Sequence, residues 1–440
     1  MQFSDLNLNK QLLSALTENG YETPTTIQQK AFSPIMSGRD IIGLAQTGTG
    51  KTLAYLLPLL RLWKFSKSPF PTVLILVPTR ELVTQVVEQV EMLTVSMNVV
   101  VGGAYGGANI KRNISMLEIG LDIIVATPGR LLDLLKKGAL KSKTIKKLVI
   151  DEVDEMLNLG FRTQLKNILD MLPEKRQSLL FSATMVDDVE MLINEYFISP
   201  LKIEAAPMGS PLSNINQSAY EVPNFNTKVN LITRLLSERE EFSKVLVFTA
   251  TKKMADKLAE RLLEPFEDEF GVIHSNKSQN YRFGVIDNFK SGDHRFIIAT
   301  DIVARGIDVS EVTHVINFDA PEVPENYIHR IGRTGRADRK GNSLTFVTKS
   351  DANNILAIEE LMNYSIPRNI LPDNLEISEL LTEEELPKIN MKTIQIKRPK
   401  VKDAGPAFHE KKAKNMKVNL TRAERLKKRL QKKGRKKKRK

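Results

Sequence analysis

The sequence predicts an α/β protein: two domains with parallel sheets in tandem, followed by a basic, largely disordered C-terminal tail. Three observations carry this. Short apolar, β-branched runs alternate with longer amphipathic stretches, which is the rhythm of strand and helix in parallel sheets. The rhythm breaks once, at 205–211, where Pro, Gly and small residues read as a linker. A length of 440 residues suits two or three ordinary domains better than one. The resulting division is 1–206 for the first domain, 207–217 for the linker, 218–365 for the second domain and 366–440 for an extension that ends in a polybasic tail.

In the first half the candidate strands are 41–45, 73–77, 98–101, 123–126, 148–151 and 178–181. In the second half they are 245–249, 271–274, 296–299, 315–318 and 343–347. Such runs lack polar alternation, the pattern of strands buried on both faces. The spacers, such as 82–92 and 252–263, carry apolar residues at helical spacing. After about residue 365 the rhythm stops. Residues 376–385 are acidic with interspersed leucine, and 391–410 mix Lys, Pro and Gly and read as extended. Leu426 and Leu430 lie four apart within the basic stretch 421–433, where like charges oppose a lone helix.

Composition removes several function classes. There is no cysteine, which excludes disulfides, thiolate catalysis and cysteine-bound zinc. The five histidines, at 274, 294, 314, 329 and 409, show no metal-ligand spacing. The apolar runs are far shorter than the ~20 residues that span a bilayer. The N-terminus lacks the basic head and apolar core of a secretory signal, so a cytoplasmic protein is expected. The formal charge of +13 is unevenly placed: 411–440 carries 17 Lys or Arg against the single acid Glu424. Such a tail meets a polyanion, nucleic acid before anionic membrane. It has neither aromatic anchors nor a continuous apolar face for a membrane surface.

The strongest local signal is Ala45-Gln46-Thr47-Gly48-Thr49-Gly50-Lys51-Thr52, between a candidate strand and an apolar helical run. This is a P-loop. Gly48 and Gly50 let backbone N–H groups face phosphates, and the following helix points its positive end at them. Lys51 would reach the β- and γ-phosphates, and Thr52 would ligate Mg²⁺. Asp151-Glu152-Val153-Asp154 stands at the end of a candidate strand. Alone it would read as a helix N-cap. Paired with the P-loop, it assigns Asp151 to the metal through water and Glu152 to the attacking water. In the other domain, His329-Arg330-Ile331-Gly332-Arg333-Thr334-Gly335-Arg336 sets three arginines near one helical face. Alone it would be a nucleic-acid patch. Guanidinium forks also suit a γ-phosphoryl group in transfer, so a site assembled between domains is expected.

Together these residues resemble the DEAD-box RNA helicase family, which has two RecA-like domains, over roughly residues 1–365. Phe3 followed by Gly20-Tyr21-Glu22-Thr23-Pro24-Thr25-Thr26-Ile27-Gln28 matches its nucleotide-recognition segment. That implies ATP as the nucleotide, with Phe3 stacked on adenine and Gln28 reading its edge. The family also begins its P-loop with alanine, as at Ala45. Pro78-Thr79-Arg80-Glu81-Leu82, Tyr105-Gly106-Gly107 and Thr127-Pro128-Gly129-Arg130 match RNA-contacting segments of the first domain. Ser182-Ala183-Thr184 matches the segment that couples the domains through hydrogen bonds to Asp154, and His329 joins that coupling. Val247-Phe248-Thr249, Gln279 with Arg282, Ala299-Thr300-Asp301 and Arg305-Gly306-Ile307-Asp308 match segments of the second domain. The resemblance implies that Arg282, Thr300 and Arg305 face RNA, Asp308 the ribose, and Arg333 and Arg336 the γ-phosphate. Residues 273–282 and 408–412 are similar to the bacterial RhlE-like group.

The function this implies is RNA-stimulated ATP hydrolysis that unwinds short duplexes or remodels RNA–protein complexes. The actor would be a monomer, with ribosomal or RNA-decay complexes as its setting and RNA bound largely without regard to sequence. An ATP-gated RNA clamp with little turnover is the alternative. Three residues depart from the family pattern: Val153 where alanine is usual, Thr26 where proline is usual, and Ser275 where glycine is usual. Two added methyl groups at Val153 would cost about 1 kcal/mol in a tight site. The basic tail is expected to tether RNA through phosphates and, lacking aromatics, to read no sequence.

Overall fold

The computed structural model describes residues 1–46, 48–205, 214–301, 312–335 and 340–386. The first half holds β1 (Ile41–Leu44), β2 (Val73–Leu76), β3 (Val101–Ala104), β4 (Ile123–Ala126), β5 (Lys147–Ile150), β6 (Gln177–Ser182) and β7 (Leu201–Glu204). The second half holds β8 (Ile215–Glu221), β9 (Val245–Thr249), β10 (Phe270–Ile273), β11 (Phe296–Thr300), β12 (His314–Asn317), β13 (Gly341–Val347) and β14 (Arg368–Asn369). Among the described residues each sheet has seven strands, in the orders β3-β4-β2-β5-β6-β1-β7 and β10-β11-β9-β12-β13-β8-β14. Strands β8 to β14 thus take the places of β1 to β7 in the same order, and the pairings are parallel.

Unbroken apolar runs fit because each strand feeds two cores. Val73 and Ile75 enter one apolar cluster while Leu74 and Leu76 enter another, on the opposite face of the sheet. Val245 and Val247 part from Leu246 and Phe248 in the same way. The first half's helices are α1 (Lys10–Glu18), α2 (Thr26–Met36), α3 (Lys51–Arg61), α4 (Arg80–Leu93), α5 (Ile110–Ile119), α6 (Pro128–Lys136), α7 (Val153–Asn158), α8 (Arg162–Met171) and α9 (Asp187–Tyr196). In the second half α10 (Phe225–Ser237), α11 (Lys252–Phe266) and α12 (Gln279–Ser291) are followed by helices Pro324–Ile331 and Ala352–Met362.

Several boundaries differ from expectation. β3 lies at Val101–Ala104 rather than 98–101. A Cβ on its Gly102 or Gly103 would strike Met116 or Val83, so the glycines permit close helix packing. β8 begins at Ile215, paired with Gly341, so 215–217 belong to the strand and not to the linker. The folded part also continues past 365. Ile366 is buried, β14 pairs with β8, and Leu371 and Leu375 pack on the core, so one compact unit runs Met1–Leu386. Linker residues 207–213 and the tail stretches 391–410 and 421–433 lie outside the described residues. Among the described residues no helix is long and apolar enough to cross a membrane.

Candidate functional site

After β1 the chain turns through Ala45 and Gln46 into a loop in which Gly48 and Gly50 have φ of 80° and 82°. A side chain there would strain the backbone, so these glycines set the loop's path. Thr49 Oγ1 donates to the Gln46 carbonyl at 2.7 Å and closes the turn. Gly50 caps α3, and Lys51 and Thr52 form its first turn. The Lys51 ammonium is buried with no hydrogen-bond partner. A buried ammonium without a hydrogen-bond partner is costly even beside carboxylates, so the loop fits a polyphosphate. Thr47 lies outside the described residues. Gln28 is buried: its Oε1 accepts from Thr25 N at 2.9 Å and its Nε2 donates to the Gly50 carbonyl at 3.1 Å. It therefore ties α2 to the P-loop. Phe3 is buried in the first apolar cluster.

The acidic motif sits at the tip of β5, between β2 and β6. Asp151 is buried, and Glu152 N donates to its Oδ1 at 3.0 Å. Burial pushes Asp151 up to about 6, while Lys51 pulls the other way. Glu152 takes φ 53° and ψ 50°, a left-handed conformation that a residue with a side chain holds under strain. Val153, the departure from the family pattern, is fully buried in the second apolar cluster. Asp154 Oδ2 accepts from Ala183 N at 3.1 Å, Thr184 N at 2.9 Å and Thr184 Oγ1 at 3.0 Å. Ser182 Oγ donates to the Thr184 carbonyl at 2.7 Å. Burial alone would raise Asp154, but His329, Lys51 and the Thr184 hydrogen bonds hold it below the usual carboxylate range. The oxygens of Thr52 and Asp151 suit Mg²⁺, which binds a few protein oxygens beside phosphates. Among the described residues no cluster of three metal-ligating side chains exists that would hold a metal by itself.

The second domain reaches this site through helix Pro324–Ile331. His329 Nε2 lies 3.9 Å from Asp154 Oδ2. Arg333 is buried on the following turn, its Nε donating to the His329 carbonyl at 3.3 Å, and it lines a cavity of about 540 Å³. Arg336, Arg305 and Asp308 lie outside the described residues. Arg330 has a different job: it grips Asp301 with two guanidinium nitrogens and also donates to the Asp319 carbonyl at 2.7 Å.

The segments matched to RNA contact come together in a groove of about 630 Å³. Pro78, Thr79, Arg80, Gly106, Thr127 and Arg130 of the first domain line it with Ser275 and Arg282 of the second. Among the described residues three helix N-termini bound it: α4 capped by the Thr79 hydroxyl, α6 opening after Thr127 with Pro128 in its first turn, and α12 capped by the Ser278 hydroxyl. Such termini carry positive dipole ends and free N–H groups, which suit phosphates. The Arg130 guanidinium is engaged by Asn113 and by the Ala108 carbonyl at 2.7 Å, so it braces the loop after β3. Gly107 lies against the Arg80 guanidinium, and Thr300 is buried at the end of β11. The domains join here. Glu81 Oε1 accepts from Gln279 Nε2 at 3.0 Å and pairs with Arg282 at 3.1 Å, while Arg80 donates to Gln279 at 3.4 Å.

Sequence reasoning missed two kinds of residue. Tyr55 is buried beside Asp151 and Thr52, and burial, with Asp151, keeps its hydroxyl protonated. It read as helix core. Phe161 and Gln164 line the groove, and the Gly160-Phe161 pair straight after α7 was the available signal.

The DEAD/DEAH box helicase family model matches residues 25–192, and the helicase conserved C-terminal domain model matches residues 227–338. The chain is 39% identical over 363 residues to the ATP-dependent RNA helicase CshA of Limosilactobacillus reuteri, covering 82% of this chain and 72% of that one. It is 38% identical over 389 residues to the DEAD-box ATP-dependent RNA helicase CshA of Bacillus subtilis, covering 87% and 78%. Among solved structures, S. cerevisiae Dbp5 bound to RNA and ADP BeF3 is similar at 30% identity with a TM-score of 0.77, over 83% of this chain and 95% of that one. Mss116p bound to ssRNA and AMP-PNP is similar at 28% identity and a TM-score of 0.77, over 84% and 80%.

Proposed function

The chain belongs to the DEAD-box family of ATP-dependent RNA helicases, and we propose that it works by closing two RecA-like domains on ATP and RNA together. The observation that carries this reading is the groove built from both domains, with Arg80 and Glu81 on one side and Gln279 and Arg282 on the other. RNA that fills such a groove favours the closed state. The same closure sets His329 beside Asp154, which Thr184 already holds.

In this reading Lys51 and the P-loop N–H groups bind the phosphates, and Phe3 and Gln28 recognise adenine. Thr52 and Asp151 would hold Mg²⁺, which neutralises phosphate charge when bound. Glu152 takes the proton of the attacking water, and Arg333 and Arg336 stabilise the transferring group. Asp308 would hold the ribose, and Arg305 and Thr300 the RNA. Contacts through helix N-termini and phosphates read shape, not bases, so binding is largely sequence-independent. We place the protein in the cytoplasm as a monomer of the RhlE-like branch that acts on ribosomal or RNA-decay complexes.

ATP hydrolysis compared with RNA, with DNA and without nucleic acid tests the reading. Stimulation by RNA alone is expected, and equal stimulation by DNA would reject it. Multiple-turnover unwinding of a short duplex separates a helicase from an ATP-gated clamp.

A further inference from the structure

Beyond the last strand, residues 376–385 run along α10 as an acidic strap. Polar groups of α10 and its cap hold the strap's backbone. Asn230 Nδ2 donates to the Glu376 carbonyl at 2.8 Å, and Asn226 Nδ2 to the Leu380 carbonyl at 2.8 Å. Asn224 Nδ2 donates to the Ser378 carbonyl, and Ser378 N donates to Thr227 Oγ1 at 3.1 Å. Glu385 fastens the far end, accepting from Phe225 N at 2.6 Å and from Thr382 N at 2.8 Å. Little apolar burial adds to this, since Ile377, Leu380 and Leu386 are 59%, 75% and 52% exposed. The strap is therefore fastened by exchangeable polar contacts.

Glu384 has a separate role. Its two oxygens pair with Lys253 and, at 3.1 Å, with Lys257, both on α11. The cavity there, about 750 Å³, is lined by Lys252, Lys253, Lys257, Asn276, Glu383 and Glu384 among others. Two acids of α11, Asp256 and Glu260, share that lining, but Asp256 is engaged by His274 at 3.0 Å and Lys277 at 2.9 Å. This face adjoins the RNA groove. Lys252 Nζ donates to Asn276 Oδ1 at 3.1 Å, and the preceding residue, Ser275, lines the groove. α11 leaves the C-terminal end of β9, on the sheet edge from which the loop before α12 also departs. A strand of phosphates leaving the groove past Ser275 would meet these lysines next.

We propose that the Lys252–Lys253–Lys257 face of α11 is a further RNA-phosphate contact, and that Glu383 and Glu384 cover it until RNA displaces them. The chain thereby carries its own competitor for RNA. This rests on the RNA-helicase reading above.

The test uses the full chain with Glu383→Gln and Glu384→Gln together, leaving Glu385 to fasten the strap. Labelled single-stranded RNA is titrated at several salt concentrations, and ATP turnover is followed against RNA concentration. The variant should bind RNA several-fold tighter and reach half-maximal turnover at less RNA, with the same turnover at saturation. Each phosphate newly neutralised adds ~0.7 to the salt slope on single strands, so two lysines should steepen it by about 1.4. Adding Lys253→Ala and Lys257→Ala should abolish the gain. Unchanged affinity and slope in the double variant, or a gain that survives loss of the lysines, overturns the proposal while the parent still binds RNA. A parent that binds no RNA rejects the functional reading, and the proposal with it.

Discussion

At the scale of single residues, Lys51 and Glu152 make separable contributions. Lys51→Ala removes the buried ammonium that faces the P-loop, so ATP binding should be lost along with turnover. Glu152→Gln keeps the size and hydrogen-bonding reach of the side chain but cannot take a proton. It should bind ATP and Mg²⁺ and accumulate the RNA-bound closed state. Hydrolysis at the parent's rate by Glu152→Gln would remove Glu152 from its assigned role. Burial holds His314, its ring tilted against Phe242 with centroids 4.2 Å apart, down to about 4. Its folded value lies below the ordinary 6.5, so protonation favours the unfolded chain. The stability it contributes is full above pH 6.5 and is lost as pH falls toward about 4, with a ceiling of about 3 kcal/mol. His314→Gln should therefore melt with a shallower pH dependence over that window, and parallel melting curves would show that His314 is not the titrating group. Motif residues were legible because their chemistry follows from local spacing, as with Gly48, Gly50 and Lys51. The grip of Arg330 on Asp301 and the tie of Gln28 to the Gly50 carbonyl were not, because these partners meet only through the fold.

At the scale of elements, the groove depends on how loops deliver helix N-termini. Gly107, in the loop between β3 and α5, has φ of 83°, and a Cβ there would run into the Arg80 guanidinium. Gly107→Ala thus meets backbone strain, about 1–2 kcal/mol, and displaces a groove arginine. RNA affinity should fall by roughly tenfold or more, since about 1.4 kcal/mol is tenfold, while ATP affinity without RNA holds. Equal losses of both ligands would show general damage instead of a groove effect. The elements themselves were unevenly legible. β2, β4 and β9 announced themselves as unbroken apolar runs because both faces are buried. β7, with its alternating Leu201-Lys202-Ile203-Glu204, lies at the sheet edge and buries little of its surface. β8 is rich in polar residues yet is held between β13 and β14, and the two-residue β14 is too short to leave a pattern. Residues 376–385 read as acidic, but their docking on α10 was not legible for a related reason: side-chain amides hold the backbone, and amides leave no hydrophobic signature.

At the scale of the whole molecule, charge is divided between a compact unit and the C-terminal residues beyond it. The unit Met1–Leu386 contains the nucleotide site, the groove and the acidic strap. The 17 Lys or Arg of 411–440 stand outside it. Truncation after Leu386 should leave both sheets and their hydrogen bonds intact, so ATP turnover at saturating RNA should change little. RNA binding should weaken, and its salt dependence is the informative quantity. Each phosphate neutralised contributes ~0.7 to the slope on single strands, so about six engaged tail charges predict a fall of roughly 4. The loss should be similar for RNAs of different sequence, because phosphate contacts carry no base information. Titration of labelled RNA at several salt concentrations, full chain against truncated chain, measures both quantities. A salt slope that does not change on truncation would mean that the tail is no RNA tether, whatever its charge. A loss confined to one RNA sequence would place a base-reading element in residues 387–440. A loss of turnover at saturating RNA would instead mean that those residues contribute to the catalytic closure itself.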